Sequence, residues 1–131
     1  MTKEANFFIS KELLRPREEL DNKSLADFGW RKGDCFNSED NTIIALSNSR
    51  KKTLTFSNYW FKNPSRSFIK EIVLHEIAHA IVDTSYKGKK LKDCPPHNNI
   101  WRYTAKKLGC KYGAKIPVKK TIFGKSILKN A

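Results

Sequence analysis

Apolar positions change their spacing along this chain, and each change marks an element. Residues 4–21 hold Phe7, Phe8, Ile9, Leu13, Leu14 and Leu20 around a single interruption, Pro16. That pattern suits one or two short helices broken near Arg15, because proline disfavours helical backbone in the residue before it. Three short strand-like runs follow: Leu25–Arg31, closed by Lys32-Gly33-Asp34, then Thr42–Leu46, then Thr53–Phe56. Joined by Asn, Asp, Ser and Gly turn signals, they predict a small antiparallel meander of three strands. The spacing then becomes helical: Ile69, Val73, Ile77, Ala80 and Ile81 form one stripe. Asn63 with Pro64 behind it, Ser65 or Ser67 can cap the start, and Tyr86-Lys87-Gly88 can end it. After a loop stiffened by Pro95 and Pro96, helical character resumes from Asn98 or Asn99 through Leu108 and stops at Gly109. The expected fold is α+β: a short three-stranded antiparallel sheet packed on the long helix, with a second helix after it.

The long helix carries the chemistry. His75-Glu76-Ile77-Ala78-His79 places two imidazoles four residues apart, about one helical turn, so both leave the same face and can share one ion. Glu76 lies beside them and can act as base toward water at the ion, the donor set of a zinc hydrolase. The third and last histidine, His97, precedes the second helix and completes a three-ligand site with one open position. His75, Glu76 and His79 fall on an arc next to the apolar stripe, which predicts a helix buried on one side and holding Zn²⁺ at its edge. Asp83 is a poor fourth ligand, since eight helical residues span about 12 Å; an outer-sphere or capping role suits it better. Cys94 forms a Cys-x-x-His pair with His97, and a sulfur in the open position would convert the site to a structural one. Tyr86, Arg102 and Tyr103 are candidates for stabilising an oxyanion. Trp101 is expected behind the metal site, and Trp30, Tyr59, Trp60 and Phe61 are expected in the core rather than on a base-stacking platform.

Composition narrows the setting. The chain has 131 residues, 39% hydrophobic and 11% aromatic, enough for one modest core. Three cysteines, Cys35, Cys94 and Cys110, form no Cys-x-x-Cys pair, which speaks against a disulfide scaffold and for a reducing interior. No apolar run is long enough for a membrane span and the first residues lack a signal-peptide core. These points predict an intracellular protein, cytoplasmic or nucleoid-associated, with no membrane partner. The formal net charge is +13, and residues 84–131 carry 13 Lys/Arg against one acid, Asp93. Charge that one-sided attracts polyanions without sequence preference, so Lys106, Lys107, Lys111, Lys115, Lys119 and Lys120 are the expected nucleic-acid contacts. A solvated lysine-rich surface is the plainer reading of the same charge.

Taken together, these stretches resemble the SprT-like zinc metalloproteases, whose eukaryotic relatives include the Spartan proteases. The resemblance runs from about Trp30 to Gly109. It rests on Thr53–Phe61, on Glu71–Ala80 with its His-Glu-x-x-His, and on Pro96–Arg102 with Leu108-Gly109. His97 stands where the family opens a helix with its third histidine, and Trp101 supplies the aromatic residue four positions on. Two features depart from the family pattern: Asn98 replaces the usual glycine, and no paired-cysteine zinc ribbon follows. The resemblance implies a small zincin-like domain over 1–110 with a basic tail over 111–131. It also implies Zn²⁺ on His75, His79 and His97, Glu76 as catalytic base, and protein substrates bound or crosslinked to DNA. The competing expectations are a non-catalytic nucleic-acid-binding module fixed by structural zinc, and an adaptor of a host factor with a vestigial metal site.

Overall fold

The computed structural model describes residues 2–36, 44–59, 61, 66–85, 99–111, 115–117 and 126–128. Helix α1 (Lys3–Leu14) starts where the Thr2 side chain accepts the Ala5 N–H at 3.1 Å. Ala5, Ile9 and Leu13, four residues apart, bury its inner face. It ends where Arg15 turns extended ahead of Pro16, as the sequence predicts. Glu12 is buried at the end of α1, where its carboxylate accepts from Arg17 at 2.9 Å; Arg17 also donates to the Glu12 carbonyl at 3.0 Å.

The sheet differs from the predicted meander. Its strands are β1 (Arg31–Lys32), β2 (Ala45–Asn48) and β3 (Thr53–Phe56), in the order β1-β3-β2. β2 and β3 form an antiparallel hairpin, Ala45 facing Phe56 and Asn48 facing Thr53. β1 instead runs parallel to β3, with Arg31 opposite Thr53. The sheet is therefore mixed. Gly33, read in the sequence as a turn, continues the ladder by donating its N–H to the Leu54 carbonyl at 2.9 Å, and Phe36 bridges Ser57 in the same parallel sense. A Cβ at Gly33 would come within 2.7 Å of Thr55 Cγ2, so the close approach of these strands needs glycine there. Between β1 and its parallel neighbour β3 the chain passes through β2, so the two are separated by the long connection that a parallel pair requires.

Two strand boundaries also move. Leu25–Arg31 begins not as a strand but as a 3₁₀ turn over Ala26–Phe28. Ser24 and Asp27 cap each other's backbone N–H groups at 2.9 and 3.1 Å, and Gly29 closes the turn at φ +93°. Ser47 and Asn48 join β2, because the reversal falls at 49–52 with Lys52 in the left-handed region. Thr42 and Ile43 lie outside the described residues.

Helix α2 (Arg66–Ser85) is the centre of the molecule. Ser67 lies inside it rather than capping it, and the other start and stop signals lie outside the described residues. Ile69, Ile72, Val73, Ile77, Ala80 and Ile81 join the main core with α1, Leu54 and Phe56. Phe56, Phe61 and Phe68 meet edge to face with ring centroids 5.2 and 5.7 Å apart. Trp30 and Phe61 are buried and Tyr59 packs against the core, as expected of them; Trp60 lies outside the described residues. On its opposite side α2 meets helix α3 (Asn99–Leu108), where Ala78 and Val82 pack with Trp101 and Ala105. Beyond α3, β4 (Lys115–Pro117) pairs antiparallel with β5 (Ser126–Leu128). Among the described residues no helix is long and apolar enough to cross a membrane.

Candidate metal centre

The face of α2 that meets α3 bears Glu71, His75, Ala78, His79 and Val82, at helical intervals of three and four. His75 and Glu76 are wholly buried and His79 is 7% exposed. One ligand-capable atom from each of the three lies within 4.8 Å of the others, the separation at which one cation can be shared. Two imidazole nitrogens with a carboxylate beside them, buried between α2 and α3, suit a borderline-soft divalent ion.

Trp101 builds the wall of this space. Its ring stacks on His79 at 5.1 Å and 25°, and lies 4.5 Å from His75 at 56°. The two imidazoles are 5.2 Å apart. An indole in contact with both rings restricts their rotation, the support that a preorganised ligand pair needs. The sequence places Trp101 behind the site, and the structure does the same. It corrects the picture of α2, however. The arc carrying the donors is no exposed edge, because α3 covers it and 13 of the 20 residues of α2 are buried.

The other candidates separate. His97, Cys94 and Tyr86 lie outside the described residues, as do Lys119 and Lys120. Asp83 is half-buried beyond the donor group, and burial pushes its carboxyl up to about 6. Arg102 and Tyr103 stand exposed on α3, Tyr103 by 71%. Lys106 and Lys107 project from the last turn of the same helix, and Lys107 reaches Glu19 at 3.6 Å and Glu18 at 3.9 Å. Lys111 is exposed just past the helix, and Lys115 falls in β4.

One residue was missed from sequence. Glu71 is buried one turn before His75, and its carboxylate accepts the backbone N–H of Lys111 at 2.9 and 3.2 Å. The available signal was an acid four residues before His75 on a largely apolar helix.

The family model described as the SprT-like family matches residues 3–121. The chain belongs to that family. Zinc metalloproteases are the general kind of the SprT-like family, and the buried His75-Glu76-His79 group of this member is the possible metal site. The match takes in α1 and the segment after α3, beyond the Trp30–Gly109 stretch that carries the resemblance in sequence. Comparison with curated proteins and with solved structures matches nothing.

Proposed function

We propose that this SprT-like chain is a zinc-dependent endopeptidase acting on proteins bound or crosslinked to DNA inside the cell. The observation that carries the reading is the burial of two imidazoles and one carboxylate within 4.8 Å of one another, walled by Trp101. A buried carboxylate must be hydrogen-bonded, paired with a cation or protonated, and two adjacent imidazoles make a shared metal ion the partner that suits this one. His75 and His79 hold Zn²⁺ from consecutive turns of α2, and His97 completes the set. Bound there, Zn²⁺ supplies Lewis acidity that polarises a scissile carbonyl and lowers the pKa of water to about 7.

Glu76 performs the proton chemistry. Its carboxylate takes a proton from the water whose oxygen bonds to the scissile carbon. It gives that proton to the amine as the C–N bond breaks, so the carboxylate is regenerated and one water is consumed. Glu76→Gln keeps the shape and removes the base. Peptide hydrolysis is expected to fall at least 10²-fold while zinc content, measured by elemental analysis, stays at one per chain. Hydrolysis unaffected by this substitution defeats the proposal. Loss of the fold on chelation, with no cleavage of any DNA-bound protein, assigns the ion a structural role instead.

The excess of positive charge after residue 84 supports the second half of the reading. Lys106, Lys107, Lys111, Lys115, Lys119 and Lys120 form a nucleic-acid-facing set that keeps the enzyme near its substrates without reading sequence. Replacing Lys119 and Lys120 by alanine is expected to reduce the slope of log affinity against log salt by about 2, at roughly 0.9 per phosphate contact. An unchanged slope places the binding surface elsewhere.

A further inference from the structure

Helix α3 ends in a way that leaves its next donor to Glu71. Gly109, at φ +100°, donates to the Lys106 carbonyl and Cys110 to that of Ala105, both at 3.0 Å. These two bonds form the Schellman motif that satisfies carbonyls of the last turn. The N–H that follows, on Lys111, points at the Glu71 carboxylate, which receives it at 2.9 and 3.2 Å. Such a bond to an ionised acceptor is about twice as strong as a neutral one. Glu71 thus fastens the end of α3 to α2 one turn before His75, while Trp101, further back along the same helix, rests on His75 and His79. A slip of α3 by a single residue carries the indole about 1.5 Å along its axis, which changes its alignment with both imidazoles. The neighbouring thiol stays out of the site: burial, and then the Glu71 charge, push Cys110 up to about 12, so it remains a neutral S–H.

We propose that Glu71 is a positioning residue of the metal centre: by holding the Lys111 N–H it sets α3, and through Trp101 it fixes the two imidazoles in their ligating orientation. This rests on the reading of His75 and His79 as metal ligands. The full-length chain tests it with Co²⁺ as a visible probe. Co²⁺ affinity and the d–d absorption bands are measured for the wild type, Glu71→Ala, Glu71→Gln and Lys111→Pro, the last removing the donor N–H while leaving Glu71 in place. Leu13→Ala, in the main core away from α3, is the control for plain destabilisation. Glu71→Ala and Lys111→Pro are expected to bind Co²⁺ at least 10-fold more weakly, with shifted bands. Glu71→Gln, whose amide oxygen still accepts, should stay near the wild type, and Leu13→Ala should keep the wild-type bands. Wild-type affinity and bands in Lys111→Pro or in folded Glu71→Ala overturn the proposal, as does an equal shift in Leu13→Ala. Should Glu71→Ala fail to fold, Lys111→Pro decides alone. A wild-type chain that takes up no Co²⁺ removes the ligand reading itself, a separate result.

Discussion

Replacing Trp101 with alanine tests how far the site and the fold depend on one side chain. Trp101 is 1% exposed, touches both imidazoles and anchors the packing of α3 on Ala78 and Val82. A buried tryptophan removes about 150–250 Å² from water, worth roughly 4–6 kcal/mol at about 25 cal/mol per Å². Measured losses for Trp or Phe to Ala run about 3–5 kcal/mol, and a domain of this size has only about 5–15 kcal/mol to lose. At about 4 °C per kcal/mol, the melting temperature of the metal-free chain should fall by about 10–20 °C. Thermal unfolding followed by circular dichroism at 222 nm measures this. Tyr103, two residues on in the same helix but 71% exposed, is the internal comparison: Tyr103→Ala should stay within about 0.5 kcal/mol of the wild type. A Trp101→Ala chain melting within a few degrees of the wild type refutes the argument. Equal losses in the two variants do so as well, since burial would then not be what distinguishes them.

Two further outcomes follow from buried charge. Glu12→Ala should cost about 3–5 kcal/mol, because it strands the buried Arg17 guanidinium; the exposed Arg15 partner adds little. A shift in the urea midpoint reads this, and a change under 1 kcal/mol contradicts it. Asp83 bears on pH. Its folded pKa, about 6, lies above the ordinary 3.8, so the folded state holds the proton more tightly and stability falls as pH rises between those values. Asp83→Asn should therefore be neutral below pH 3.8 and stabilising above 6, by about 1 kcal/mol or less given solvent screening at a half-buried site. A gain that appears only at low pH has the wrong sign for burial as the cause.

What could be read from sequence was what depends on near neighbours. The His75-Glu76-His79 face follows from helix period alone. Thr53–Phe56 is a strand between the predicted residues, Gly109 ends α3, and α1 stops ahead of Pro16, each on a signal within a few positions. The failures involve partners far along the chain. Strand β1 pairs with residues over 20 positions away, and nothing near Gly33 distinguishes a turn from a close strand crossing. Glu71 meets Lys111, 40 residues on, a contact that no local pattern announces. The covered face of α2 escaped notice for a related reason: histidine and glutamate read as polar in a pattern of hydrophobicity, yet here they are as buried as leucine. The Ser24–Asp27 pair is a different lesson, since its spacing was a capping signal in plain view among strand-like residues.

The enclosure of α2 has a consequence for biogenesis. A helix with apolar surface on two opposite sides has no good resting place on a partly assembled protein. Until α1 and the sheet close on one side and α3 on the other, residues 68–82 present sticky surface to any other chain nearby. Crowded synthesis should therefore endanger this protein most in the interval before α3 emerges, at the step when His75 and His79 are still uncovered.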